Sequence, residues 1–505
     1  MNLTIVFVHG WSVTNLNTYG ELPLRLKADA AKNGTTLEIK DIFLGRYISF
    51  HDEVRMTDIS RSFQTAVEEQ LSEVLLNGNR FICITHSTGG PVVRDWWNKY
   101  YNSSNETCPM SHLIMLAPAN YGSALAQLGK GKLSRLKSWW AGVEPGQGIL
   151  DWLAIGSGDA WELNKDWIFT DVSKIGEKGI FPFVITGQAI DRKFYDHLNP
   201  YTGETGSDGV VRVAAANLQG RYLELIQPVV TKKSNDQLSS ADFIQGKFQE
   251  APATALRVLS NKSHSGDDMG IMKSVKQNDS TDASTETIHT ILSCIQVQNS
   301  EQYATICKQF EIETILVQER ERLEIESEIF NSDRLFFHDR HSMLIFRVRD
   351  TEGFPVTDYD LILTAGINND PDHLPEDFFE DRQRNLVNKE IITYYFNYDA
   401  MKGLGPVKND KGEIVRLAFP GTDKLGFEIH PRPDAGFVKY LPCKVIAHET
   451  MLQKVLVPNS TTLIDITLQR IVFKETTRFE PIKDKMPPDS ISDFSTKMGR
   501  GDIVK

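Results

Sequence analysis

The segment Phe81-Ile82-Cys83-Ile84-Thr85-His86-Ser87-Thr88-Gly89-Gly90-Pro91-Val92-Val93 places a serine between an apolar run and a pair of glycines. The apolar half predicts a strand, and the residues after Gly90 predict the start of a helix. A serine hydroxyl is a poor nucleophile until a base takes its proton. A sharp strand-to-helix turn exposes its oxygen. The same turn aims the N–H of the next residue, Thr88, and the helix dipole at a developing oxyanion. Gly89 supplies the small residue that such a strained, closely packed turn needs. Thr85 departs from the G-x-S-x-G pattern, and its branched side chain crowds the turn. The competing reading is a Ser-Gly turn in an ordinary strand–helix unit.

A second motif lies upstream, in Val6-Phe7-Val8-His9-Gly10-Trp11. A glycine-containing turn after an early strand donates a second oxyanion N–H in this arrangement. That donor is assigned to Trp11. Gly10 lets the backbone approach a substrate closely, and His9 reads as a buttress of the loop. On these two motifs the chain resembles the α/β-hydrolase superfamily. Within it, the sequence is similar to bacterial lipases and phospholipases, including lipase effectors of contact-dependent secretion systems. The resemblance covers roughly residues 1–270 and does not reach the C-terminal half. It implies a mostly parallel sheet with a cap insert, and cleavage of a lipid-like ester through an acyl-enzyme with no cofactor and no metal.

Such folds order the triad as serine, acid, histidine. After Ser87 the first half offers His112, His197 and His264. His112 opens an apolar run and reads as packing or capping. His197 lies in a polar turn. His264 follows a last predicted strand, in Asn261-Lys262-Ser263-His264-Ser265-Gly266, where a base can reach the serine from the sheet's C-terminal edge. For the acid, Gly206-Ser207-Asp208-Gly209-Val210-Val211 is similar to the segment that carries the catalytic aspartate in many lipases. Asp208 is therefore expected to accept the imidazole N–H, with Asp191 and Asp196 as alternatives. An ordinary Asp-Gly turn is the competing reading.

Residues 121–170 hold Trp139, Trp140, Trp152, Trp161 and Trp167, out of eight tryptophans in the chain. They follow Leu116-Ala117-Pro118-Ala119-Asn120-Tyr121-Gly122-Ser123, which resembles the segment after the elbow strand in lipases. An aromatic cap would exclude water and receive an acyl chain, so Trp139, Trp140 and Trp152 are assigned to substrate binding. Packing of an accessory helical layer is the alternative, since large aromatics belong to cores more often than to ligand sites. Lys130, Lys132, Arg135 and Lys137 have the charge for phospholipid headgroups, and equally for a solvated helix face.

These residues need a scaffold. Ile5–Val8, Leu37–Ile42, Arg80–Thr85, Leu113–Ala117, Phe181–Thr186 and Ala255–Ser260 read as buried strands. Amphipathic stretches such as Ser60–Leu76 alternate with them, which predicts a parallel sheet covered on both faces. The polar stretch 267–287 reads as a linker closing a catalytic unit of residues 1–280. From 288 to 480 the pattern turns to strands: Met343–Val348, Leu361–Thr364, Ile391–Phe396, Cys443–His448 and Thr461–Val472, with a helical piece at Glu301–Phe310. That predicts a β-sandwich-like accessory domain, suited to a membrane surface or a protein partner. Residues 481–505 read as a loose tail. His338-Asp339-Arg340-His341 reads as a charged turn rather than a metal site, and Asn368-Asn369-Asp370-Pro371-Asp372 as an acidic turn that could hold calcium.

The 505 residues carry a net charge of -12, with 40% hydrophobic residues and five cysteines. An acidic chain gains nothing from counterion release, so nucleic acid is not the expected partner. No C-x-x-C pair suggests zinc or a disulfide scaffold. Neither a signal-peptide pattern nor a run of ~18 apolar residues appears. Cytoplasmic synthesis is expected, and a one-step secretion route would leave no mark on the sequence. Two other functions fit the motifs less closely: an esterase or thioesterase for small soluble acyl groups, and a non-catalytic binding protein of the same fold.

Overall fold

The computed structural model describes residues 2–472 other than 10–17, 47–50, 129–145, 192–203, 230, 233–237, 240, 327–333, 410, 423, 436 and 447–450. The first half alternates strands and helices in chain order. It runs β1 (Asn2–His9), α1 (Leu22–Lys32), β2 (Thr36–Phe43), α2 (Met56–Gln70), α3 (Ser72–Leu76), β3 (Phe81–His86), α4 (Gly89–Trp97) and β4 (Met110–Leu116). It continues through α5 (Gln147–Leu153), α6 (Gly158–Ile168), β5 (Phe181–Thr186), α7 (Val213–Ala216), β6 (Arg221–Ile226), β7 (Ile244–Glu250) and β8 (Ala255–Val258). The six strands expected from the apolar runs all form, and they pair in parallel as β8-β5-β4-β3-β1-β2.

Continuous apolar runs serve these strands because both faces of the sheet are covered. Val6, Val8, Cys83 and Met115 face α2 and α4, where Ile59, Phe63, Val93 and Trp96 are buried. Ile5, Phe7, Ile84 and Leu116 face the other side, against α1 and two later helices, α8 (Asp282–Ile295) and α9 (Ser300–Arg320). The predicted helix over Ser60–Leu76 is two helices, α2 and α3, meeting at Leu71.

The second half builds β9 (His341–Asp350), β10 (Tyr359–Ala365), β11 (Phe379–Arg384), β12 (Ile391–Asn397), β13 (Leu425–Pro431), β14 (Cys443–Val445) and β15 (Thr461–Leu468). A six-stranded sheet, β11-β12-β9-β15-β6-β7, packs against the three-stranded β10-β13-β14. Leu344, Phe346, Ile464 and Ile466 meet Leu361, Leu363, Phe427 and Ile429 between them.

A division at residues 281–287 does not describe the folded chain. β6 and β7 come from the first half yet lie in the second sheet, where β6 pairs in parallel with β15. Helices α8 and α9 come after the expected linker yet cover the first sheet. The end of that linker is itself helical, with the small residues Ser284 and Thr287 buried. The inner face of the second sheet, including Met343, Ile345, Tyr395 and Leu463, joins the same core cluster as α2 and α4. On that face Arg347, 3% exposed, pairs with Asp465 at 2.6 Å and reaches Glu162 of α6 at 2.5 Å. Among the described residues, no helix is long and apolar enough to cross a membrane.

His112, near the start of β4, is a packing residue. Its Nε2–H donates to the Val297 carbonyl at 2.7 Å, tying the sheet to the end of α8. Burial pushes its pKa from the usual 6.5 down to about 4. Unfolding frees this imidazole to take a proton, so the unfolded chain binds more protons than the folded one below pH 6.5. Stability therefore falls as the solution is acidified from pH 7 towards pH 4. Wild-type protein is expected to lose about 2 kcal/mol more than His112→Phe between pH 7 and pH 5. Urea unfolding of both proteins at the two pH values measures it.

Candidate active site

Strand β3 runs out at His86, and the next residue turns left-handed: Ser87 has φ 52°. That conformation costs a non-glycine residue roughly 1–2 kcal/mol, so its neighbours must hold it. The Ser87 N–H donates to Leu116 at the end of β4 (3.0 Å). Its carbonyl accepts from Gly90 (3.2 Å) and Ala119 (3.3 Å). Helix α4 starts at Gly89, with Thr88 as its cap residue.

The small residues are needed where the chain crowds. A Cβ at Gly90 would lie 2.8 Å from the Cβ of Pro118, and one at Gly89 would lie 3.3 Å from the Cβ of Thr85. Thr85 is fully buried. A branched residue fits two positions before the serine because Gly89 gives up the space opposite it.

Two loops bring their side chains to this turn. β8 ends at Val258, and the loop that follows carries His264. Its backbone is pinned by Ser263 N–H to Met269 (3.0 Å) and by Ile271 N–H to Ser263 (2.9 Å). Gly187, after β5, lets this loop in, since a Cβ there would collide with the Lys262 carbonyl. The second loop lies before α7. In it, the Asp208 carbonyl accepts from the His264 N–H at 2.9 Å. Asp208 Oδ1 accepts from the N–H groups of Val210 (3.0 Å) and Val211 (2.7 Å).

The side chains then line up. His264 Nδ1–H donates to Asp208 Oδ2 at 2.9 Å, and His264 Nε2 lies 3.1 Å from Ser87 Oγ. His264 and Asp208 are fully buried, and Ser87 is 8% exposed. With Nδ1 carrying the proton, Nε2 is the acceptor for the serine hydroxyl. A buried carboxylate with two backbone N–H donors and one oriented imidazole is an arrangement that can take a proton from a hydroxyl and return it.

The structure brings Ser87, Asp208 and His264 together. The alternative acid Asp191 lies beside Gly266, while His264 Nδ1 is held by Asp208. Asp196 and His197 lie outside the described residues, as do Trp11, Trp139, Trp140 and the basic cluster Lys130, Lys132, Arg135 and Lys137. Trp152 is described and sits in α5, buried in the core with Trp161 and Trp167 of α6. These three pack an accessory layer, and their size explains it: aromatics of that area are worth more in a core than facing water.

One neighbour had no assigned role in the sequence reading. The Nε2–H of His86 donates to the His264 carbonyl at 3.2 Å, and the two rings lie 4.7 Å apart. Burial and then the proximity of His264 hold His86 well below the usual imidazole pKa. A neutral histidine therefore braces the loop that carries His264. Only the position next to Ser87 could have signalled it.

The HDRH segment forms charged contacts: His338 meets Glu324 (2.8 Å), Arg340 meets Asp399 (2.6 Å), and His341 stacks on Tyr395. Among the described residues no group of three or more His, Cys, Asp or Glu side chains is placed to hold a metal ion.

No family model and no curated protein matches the sequence. Solved structures do. The chain is similar to phospholipase PlaB from Legionella pneumophila, with 39% identity and a TM-score of 0.82, covering 96% of this chain and 97% of that one. It is also similar to PlaB in complex with thio-NAD, at 39% identity and a TM-score of 0.79, covering 96% of this chain and 98% of that one.

The elbow's crowding has a measurable consequence. Gly90→Ala must push Pro118 or the turn itself out of place, an overpacking cost of about 1–3 kcal/mol. A urea midpoint lowered to match, with an unchanged slope, is the expected result.

Proposed function

The chain belongs to the family of the Legionella phospholipase PlaB and is a lipid-ester hydrolase, and we propose that Ser87, His264 and Asp208 carry its reaction. The observation that carries this reading is the left-handed Ser87 with its hydroxyl 3.1 Å from His264 Nε2, while Asp208 holds the opposite ring nitrogen at 2.9 Å.

The chemistry follows from that geometry. His264 Nε2 takes the Ser87 proton as Oγ attacks the ester carbonyl. The imidazolium that forms is stabilised by Asp208, which keeps the ring in one orientation. Negative charge gathers on the former carbonyl oxygen. The N–H of Thr88, at the start of α4, receives it together with the positive end of the helix dipole. Trp11 is the proposed second donor. The tetrahedral intermediate collapses, His264 gives its proton to the departing alcohol, and an acyl-serine remains. Water, deprotonated by the same imidazole, attacks the acyl carbon and frees the acid.

We assign phospholipids as the substrates, by kinship with a protein named for that activity. The described tryptophans serve packing, so acyl-chain contacts are proposed for Trp139 and Trp140. A membrane surface is the proposed site of action.

A fluorophosphonate probe is expected to label wild-type protein at one site and to leave Ser87→Ala unlabelled. With phosphatidylcholine vesicles, Ser87→Ala and His264→Ala should each lose at least about a thousandfold in kcat, and Asp208→Asn about 10³–10⁴-fold. Labelling that survives Ser87→Ala overturns the assignment. A rate on nitrophenyl esters that peaks at the shortest acyl chains, with none on vesicles, would instead fit an esterase of small soluble substrates.

A further inference from the structure

The second sheet touches the first half of the chain at one place of particular consequence: the loop that carries Asp208. We propose that Asp381 and Tyr395 of the second sheet, acting with Arg212, are positioning residues that hold Asp208 against His264. The proposal rests on the reading of Asp208 as the acid of the triad.

The loop is a tight hairpin. Asp208 N–H donates to Val211 (3.2 Å), Val213 N–H to Gly206 (2.9 Å), and Ser207 bridges Arg212. Within it the carboxylate is fixed by the neighbouring N–H groups. The hairpin as a whole still needs an anchor, because its geometry fixes Asp208 only relative to itself. His264 stands on a different loop, and a shift of about 1 Å between catalytic groups can cost a hundredfold in rate.

That anchor comes from 169 to 190 residues further along the chain. Arg212 is 1% exposed. Its guanidinium forks onto Glu204 (2.8 and 2.7 Å) and reaches Asp381 of β11 at 2.5 Å. The same guanidinium lies 4.1 Å from the ring centroid of Tyr395. Tyr395 sits opposite Asp381 in the β11–β12 ladder, so both side chains leave the sheet on one face. The Tyr395 hydroxyl donates to the Thr205 carbonyl at 2.9 Å, with the Gly206 carbonyl 3.2 Å away. Gly206 has φ 69°, and a Cβ there would collide with the Tyr395 hydroxyl and with Nδ1 of His341. The hairpin backbone therefore lies flush on the second sheet.

One cation between two carboxylates, stacked on an aromatic ring and out of water, is a directional clamp. A bidentate fork adds geometry as well as attraction. Removing Arg212 would leave Glu204 and Asp381 facing each other unpaired, which invites misfolding. Tyr395→Phe is the cleaner probe. It keeps the ring under Arg212 and deletes only the hydroxyl that grips the loop carbonyls. Asp381→Asn keeps the shape and weakens the ion pair.

A loosened Asp208 stabilises the His264 imidazolium less. Asp208 and the neutral His86 flank that ring, and neither substitution touches His86. Tyr395→Phe and Asp381→Asn are therefore expected to lower kcat about 10–100-fold on phosphatidylcholine vesicles with KM within about twofold. The acidic limb of kcat/KM should move to lower pH in both. The deciding measurement is a double-mutant cycle. Added to Asp208→Asn, Tyr395→Phe should cost almost nothing further, because the residue through which it acts is already lost. An equal loss in both backgrounds, or an unchanged acidic limb with a full kcat, overturns the clamp. If Asp208→Asn alone is nearly as active as wild type, the triad reading fails instead, and the two failures are told apart.

Discussion

Everything at the site depends on one residue's backbone being held where it would not go alone. Ser87 occupies the left-handed region although it has a side chain, and no local preference of serine favours that. The conformation persists because β3 and β4 are packed on both faces and share the turn between them through the Ser87–Leu116 hydrogen bond. Strain of this kind survives only where surrounding structure over-determines it. Here the surroundings are rigid: a sheet buried on both sides, a helix that starts two residues later, and Pro118 lodged against Gly90. The strain and the placement of the Ser87 hydroxyl beside His264 are two aspects of one turn.

The same rigidity extends outward because the two sheets are interleaved. β6 and β7 leave the first half to join the second sheet, and α8 and α9 return from beyond to cover the first. The inner face of the second sheet shares its core with α2, α4 and the tryptophans of α5 and α6. A β-rich unit fused in this way differs from an appended module. Among the described residues, the chain passes between the two sheets more than once and the sheets share a core, unlike domains joined by a single exposed linker.

Much of this was legible in the sequence. The six core strands announced themselves as apolar runs, since strands covered on both faces have no polar side to confuse the pattern. The serine, histidine and aspartate were legible because each sits on a turn whose chemistry needs small neighbours: Gly89, Gly266 and Gly209. The interleaving was not legible. Arg221-Tyr222-Leu223-Glu224-Leu225-Ile226 alternates like a strand, but alternation says nothing about which sheet receives it. The polar run before α8 looked like a linker because it is rich in Ser and Thr, residues small enough to be buried on a helix once a partner surface exists. The brace from His86 and the contact of Arg212 with Asp381 were likewise hidden, since these partners lie 178 and 169 residues away. The packing role of Trp152 was hidden for a related reason: clustering in sequence marks neither side of a helix as facing the core.

The parallel pairing of β6 with β15 also sets a clock on the birth of the protein. Residue 226 leaves the ribosome long before residue 468, the last that β15 needs. At a synthesis rate of about 5–20 residues per second, β6 waits on the order of tens of seconds with one edge open. Pairings this distant in sequence are slow to close even in a finished chain. The nascent first half thus carries Ser87 on a scaffold that stays incomplete until β15 has been made. Until β15 emerges, the second sheet lacks the strand that joins β9 to β6.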